Sequence, residues 1–250
     1  MLSFQRFGSV RAKKPTLVLL HGWGGQWKSW FPVIAALKAH YPLIVPDLPG
    51  FGETPLEQPM TLNDYANEVV VMLTILKLKS VVLVGHSFGG AIAMKIASQR
   101  PELVKQLIIV DSSGIRPERS LGANAWISMV KFGNMVLELP GLQGVRHKLR
   151  KALYSVGPLK NSDYAVLHDP RMKQTFENII TDDISDDAAR ITCPTTIVWG
   201  SEDKDTPLWM GERFHTLISQ SELIVLQGAG HFSYLDHVVK FIDLVCERVG

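Results

Sequence analysis

The chain has 250 residues, 46% hydrophobic and 20% charged, a balance that excludes a mainly disordered protein. Lys and Arg number 26 against 24 Asp and Glu, so the net charge of +2 supplies no basic footprint for nucleic acid. The 2 cysteines, Cys193 and Cys246, exclude a disulfide framework and a cysteine-rich metal site, and the chain reads as reduced and cytoplasmic.

Met1–Phe7 is a weak candidate for an antiparallel edge strand, and Met1–Val10 lacks the apolar core of a secretory signal. Continuous apolar runs follow at Thr16–Leu20, Leu43–Val45, Val81–Val84, Leu107–Val110, Thr196–Trp199 and Leu223–Leu226. All are far shorter than the roughly 20 residues that span a bilayer, so no membrane span is expected. Apolarity at every position, rather than at alternate ones, means that both faces are covered, as in a parallel sheet between helices.

Helical patterns separate these runs. Thr61 to Lys77 opens with Thr61-x-x-Asp64, an N-cap signature, and repeats Tyr65, Val69, Met72, Leu73 and Leu76 at helical spacing. Phe88 to Gln99 is small and apolar, as expected of a tightly packed core helix, and Met210–Ile218 and Tyr234–Val249 read as amphipathic closing helices. Strand–helix alternation predicts an α/β fold with right-handed crossovers. The rhythm breaks from about Ser113 to Thr192, where helical pieces Ala123–Leu139, Val145–Tyr154 and Pro170–Ile180 are separated by Pro140-Gly141 and Gly157-Pro158.

The sharpest signal is Gly85-His86-Ser87-Phe88-Gly89, directly after one apolar run and directly before a helix. A nucleophile on such a strained strand-to-helix turn needs small flanking residues, and the turn lifts the Ser87 hydroxyl out of the sheet. It also sets the Phe88 N–H at a helix N-terminus, suited to stabilising an oxyanion. A serine hydroxyl needs a base held by a carboxylate. The run ending at Gly200 is followed by Glu202, Asp203 and Asp205. The next run is followed by Gly228-Ala229-Gly230-His231, a loop able to bring an imidazole over the nucleophile.

Together with His21-Gly22-Trp23-Gly24-Gly25 and Asp47-Leu48-Pro49-Gly50-Phe51-Gly52, these motifs resemble the α/β-hydrolase superfamily in order, from about Thr16 to Val249. The resemblance implies an α/β-hydrolase fold, with residues 1–112 and 193–250 as the core and residues 113–192 as a helical cap. It implies Ser87 as nucleophile, His231 as general base and Asp203 as its orienting acid. Asp203 is preferred over Glu202 and Asp205 because it lies three residues after Gly200 and four before Pro207. The second oxyanion donor is then the N–H of Trp23, beside that of Phe88.

No cofactor and no metal are implied. His40, His147, His168, His215 and His237 lack partners at metal-ligand spacing, and His21 and His86 are expected to support loops. Asp182, Asp183, Asp186 and Asp187 read as a solvated loop or helix cap, and Cys193 as buried filler. Trp126, Met129 and Phe132 are candidates for the substrate pocket, which would favour an ester with an apolar part, or for docking the cap onto the core. The stretch Arg146, Lys148, Arg150, Lys151 and Lys160 reads as a solvated face, with attraction of an acidic carrier protein or an anionic substrate as the sharper alternative.

Hydrolases similar in the His-Gly-Trp-Gly motif include esterases that cleave pimeloyl methyl ester from acyl carrier protein. Their usual elbow is Gly-Trp-Ser-Leu-Gly, where this chain has Gly-His-Ser-Phe-Gly. The expected activity is carboxylic ester hydrolysis through an acyl-enzyme. The alternatives are C–C bond hydrolysis of ring-cleavage products and a slow-turnover ligand receptor on the same fold.

Overall fold

A computed structural model describes residues 1–8, 14–116 and 169–250. The expected helices Ala123–Leu139 and Val145–Tyr154, the pocket candidates Trp126, Met129 and Phe132, and the basic stretch Arg146–Lys151 all lie outside the described residues. Two compact units divide the chain, residues 1–115 with 174–250 and residues 116–173.

The first unit is built on a seven-stranded sheet: β1 (Phe4–Phe7), β2 (Leu17–Leu20), β3 (Leu43–Pro46), β4 (Val81–His86), β5 (Val104–Val110), β6 (Thr195–Gly200) and β7 (Ser221–Leu226). Their order is β1-β3-β2-β4-β5-β6-β7. Only β1 is antiparallel, pairing Phe4 with Pro46 and Phe7 with Leu43 at the edge. Every residue of β2, β3, β4 and β6 is buried, so the continuous apolar runs are strands covered on both faces. β5 begins three residues earlier than its apolar run, because Val104 and Gln106 pair with Val81 and Val82 of β4 while Lys105 is skipped at a shift in register and Lys105 and Gln106 leave the core pattern.

The helices are α1 (Phe31–Leu37), α2 (Leu62–Ile75), α3 (Phe88–Gln99), α4 (Pro170–Ile180), α5 (Ser185–Ala189), α6 (Leu208–Leu217), α7 (Ser233–Asp236) and α8 (Val238–Val249). Side chains alternate across a strand. Leu17, Leu19, Val82, Val84, Ile108 and Val198 therefore share one face, packed with Val33, Ile34 and Leu37 of α1 and Phe241 and Val245 of α8. α3 packs against β2, β4 and β5, and α2 and α5 pack on α3. Within the span that the sequence assigns to the cap, α5 and the part of α4 from Gln174 onward group with the sheet.

Local signals explain most boundaries. The Thr61 hydroxyl accepts the Asp64 N–H at 3.2 Å while Asp64 accepts the Thr61 N–H at 2.7 Å, which closes the expected N-cap of α2. The predicted helix Tyr234–Val249 is two helices broken at His237. Asp236 reaches back to accept the Gly230 N–H at 2.8 Å, and His237 leaves helical geometry at φ −125°. The acidic cluster is only partly solvated. Asp187 is buried and pairs with Lys95 at 2.8 Å and Arg190 at 2.7 Å, so α5 is pinned to α3 by a shielded ion pair. Among the described residues no helix is long and apolar enough to cross a membrane.

The chain passes from β2 outward to β3 and then crosses back over β2 to β4. This reversal opens a crevice at the carboxyl ends of β2 and β4, the place where open α/β sheets bind ligands. The loops carrying Trp23 and Ser87 leave the sheet at that crevice.

Candidate active site

Ser87 joins β4 to α3 with φ 51° and ψ −114°, a left-handed conformation that costs energy for any residue with a Cβ. The glycines on either side allow it. A Cβ on Gly85 would collide with the Gly89 carbonyl, and one on Gly89 would collide with the Leu20 carbonyl. The turn is fixed by the Ser87 N–H, which donates to the Val110 carbonyl at 2.9 Å. Ser87 itself is only partly buried, and its hydroxyl donates to His231 Nε2 at 3.1 Å.

His231 Nδ1–H donates to Asp203 Oδ2 at 2.9 Å. The carboxylate fixes the tautomer, leaving Nε2 free to take the serine proton. The sequence order of elbow, carboxylate loop and histidine loop thus brings Ser87, His231 and Asp203 into one hydrogen-bonded chain. The rivals stand apart from it. Glu202 is exposed, and Asp205 is exposed while its N–H donates to Asp203 Oδ1 at 2.8 Å.

Electrostatics suit a base and its anchor. Burial pulls the His231 pKa down, but the bond to Asp203 and the charges of Asp203, Asp111 and Asp205 outweigh it, so the net shift is upward. Burial pushes Asp203 up, but its bonds from His231 and Thr206 outweigh that and hold it below the ordinary carboxylate value. The two opposite shifts describe one ion-pair-like contact.

His21 and His86 have supporting roles. His86 Nε2–H donates to the His231 carbonyl at 2.8 Å, and burial together with the nearby His231 pushes its pKa down to about 3, so it stays neutral. His21 Nδ1–H donates to the Gly22 carbonyl at 2.8 Å, and its Nε2 accepts the Leu48 N–H at 3.0 Å. In a trans peptide the N–H opposes the C=O, so fixing the Gly22 carbonyl also fixes the Trp23 N–H. That peptide lies against the elbow, since a Cβ on Gly22 would sit 3.3 Å from Ser87 Cβ. Phe88, the first residue of α3, presents its N–H where a helix start has no internal acceptor.

Sequence reading did not single out the rings around Trp23. Its indole lies 5.0 Å from Phe51 and 5.5 Å from Phe88, both edge-on, and 5.1 Å from Phe176 of α4. Trp23, Phe51 and Phe176 are partly buried, and the Trp23 ring packs on Phe88, the residue that follows Ser87. These contacts join residues far apart in sequence, so no local pattern announces them. Two polar residues outside any sequence motif support the site. Thr206 donates its N–H to Asp203 Oδ1 at 2.9 Å and its hydroxyl to Oδ2 at 2.7 Å. Asp111, at the end of β5, accepts hydrogen bonds from Gly200 and Ser233.

Among the described residues, Asp203, Asp205 and His231 form a group with metal-type ligand atoms within 4.8 Å of one another. Asp203 and His231, however, already bond each other directly, which occupies the atoms a cation would need.

A seven-stranded, mostly parallel sheet that carries a serine elbow opposite a histidine–aspartate pair is the arrangement of a hydrolase scaffold. The chain belongs to the alpha/beta hydrolase family, whose model matches residues 17–244. It is 29% identical to a pimeloyl-[acyl-carrier protein] methyl ester esterase of Yersinia pseudotuberculosis, over 92% of this chain and 91% of that protein. A hydrolase of Pseudomonas aeruginosa superposes with a TM-score of 0.75 at 22% identity, over 100% of this chain and 94% of that one. A meta-cleavage product hydrolase of Pseudomonas fluorescens IP01 gives 0.70 at 23%, over 98% and 93%. At these identities the two structures speak for the fold.

Proposed function

We propose that the protein is a carboxylic ester hydrolase that works through an acyl-enzyme on Ser87. The carrying observation is the unbroken chain from Ser87 Oγ to His231 at 3.1 Å and on to Asp203 at 2.9 Å. His231 takes the hydroxyl proton as Oγ bonds to the ester carbonyl carbon. The carbonyl oxygen becomes an oxyanion held by the N–H groups of Trp23 and Phe88. His231 then protonates the departing alkoxide, and water attacks the acyl-enzyme by the same route in reverse. Asp203 keeps the imidazole oriented and stabilises it when charged.

The aromatic surface of Trp23, Phe51 and Phe176 favours an apolar acyl or alcohol part. The chain requires no cofactor for these steps. An esterase reading also agrees with relatives named for a methyl ester carried on acyl carrier protein. A carrier-protein partner for this chain would draw on the basic stretch Arg146–Lys151.

The test is a panel of p-nitrophenyl esters of graded acyl length, run with and without a serine-directed fluorophosphonate. Turnover that stops in step with labelling of Ser87 supports the reading. Turnover of a ring-cleavage dienone with none on any ester would transfer the site to C–C hydrolysis. A single slow turnover with retained product would point to a receptor.

A further inference from the structure

Asp111 is fully buried, carries φ 46° without being glycine, and plays no part in the steps above. A left-handed residue at the end of a core strand would be cheapest as glycine or asparagine. A buried carboxylate there costs more, unless its oxygens are needed.

Every bond to that carboxylate comes from a donor. The Gly200 N–H reaches Oδ1 at 2.8 Å, while the Ser233 N–H and hydroxyl reach Oδ2 at 3.0 and 2.6 Å. Gly200 begins the loop that carries Asp203, and Ser233 follows His231 by two residues. The main chain of Asp111 holds the same region, because its N–H donates to the Val198 carbonyl at 3.0 Å and its carbonyl lies 3.0 Å from the Thr206 hydroxyl, whose single proton it shares with the shorter bond to Asp203. Thr206 in turn holds Asp203. One residue thus ties the acid loop, the histidine loop and the support of the acid.

Resting on the esterase reading, we infer that Asp111 is a positioning residue whose carboxylate fixes the Asp203 and His231 loops in register for proton transfer from Ser87. Asparagine cannot replace it, since its amide would set a donor against Gly200 or Ser233. Burial raises the Asp111 pKa to about 7 despite its three bonds, so its charge is present chiefly at neutral pH and above. His231 is faced by Asp203 and Asp205 from the β6 loop, by Asp111 from β5 and by His86 from β4. Asp111 is faced by Asp203, His231 and Tyr234 of α7. The Asp111 charge is one of those that raise the His231 pKa.

The experiment compares wild type, Asp111→Asn, Ser233→Ala and Ser87→Ala on one p-nitrophenyl ester across pH 5 to 9, with melting temperature followed in parallel. The expected result for folded Asp111→Asn is a fall in kcat of about 10- to 100-fold, as for a misplaced catalytic group, with KM unchanged. Its ascending pH limb moves to lower pH, because one negative charge near His231 is gone. Ser233→Ala keeps the carboxylate but loses the 2.6 Å bond, and its kcat falls about threefold or more at unchanged KM. Should Asp111→Asn fail to fold, Ser233→Ala alone decides. Wild-type kcat in the folded variants, or a change confined to KM, overturns the proposal while an inactive Ser87→Ala leaves the esterase reading standing. An active Ser87→Ala removes the esterase reading itself.

Discussion

Thr206 donates its hydroxyl to Asp203 Oδ2 at 2.7 Å, the same oxygen that receives His231 Nδ1–H at 2.9 Å. The anchor of the histidine is thereby held from two sides. Thr206→Val keeps the shape and loses the donor. A hydrogen bond to a charged group contributes about 1.5–3 kcal/mol, so the variant is expected to be less stable by that order at neutral pH in urea denaturation. Asp203 has a depressed folded pKa, so its contribution is present above the unfolded value of 3.8 and fades as pH falls through the folded one. The stability gap between variant and wild type should narrow in acid accordingly.

The choice of acid is testable against its neighbours. Asp203→Asn leaves an amide against Nδ1–H and should lower kcat by about 10⁴-fold, the scale of a lost orienting carboxylate. Asp205→Asn and Glu202→Gln should stay within several-fold of wild type, because neither carboxylate bonds His231. Steady-state kinetics on one ester separates the three.

How far the sequence carried this site follows from where its signals lie. Ser87, Asp203 and His231 each sit in a loop after a continuous apolar run, and the runs were readable because β2, β4, β6 and β7 have few polar interruptions. Asp111 and Thr206 were not readable, since an aspartate or threonine after a strand has an ordinary surface reading until the loops are folded over it. The same holds for Asp187, whose partner Lys95 lies on α3 some ninety residues earlier. Trp23 was legible as a backbone donor, but Phe51 and Phe176 became its neighbours only in three dimensions.

Those neighbours set a specificity prediction. Phe176 packs 5.1 Å from the Trp23 indole, and an aromatic pair contributes about 0.5–1.5 kcal/mol beyond its burial. Phe176→Ala should loosen Trp23 and shift the preferred acyl chain toward longer esters. kcat/KM for short esters should fall about three- to tenfold. An unchanged profile across the acyl series would remove Phe176 from the substrate wall.

Two buried neutral histidines make the fold acid-sensitive. Burial depresses the pKa of His86 to about 3 and lowers that of His21. The unfolded chain binds a proton at each near the ordinary value of 6.5, whereas the folded chain does not until lower pH. The contribution of His86 is therefore full above about 6.5 and declines as pH falls toward 3, by roughly 1.4 kcal/mol per pH unit, and His21 adds in the same direction, while the raised pKa of Asp111 works the opposite way below neutral pH. Replacing His86 by Gln, which retains a donor for the His231 carbonyl, should flatten that slope between pH 6 and 4 in urea titrations.

The central claim is that Ser87 is the nucleophile activated by His231. The direct measurement is the turnover of Ser87→Ala on the best ester of the panel, with melting temperature as the check on folding. A folded variant whose kcat falls by about 10³- to 10⁶-fold, and which no longer takes up a fluorophosphonate, is the predicted result. A folded Ser87→Ala that hydrolyses the ester at the wild-type rate would contradict the account.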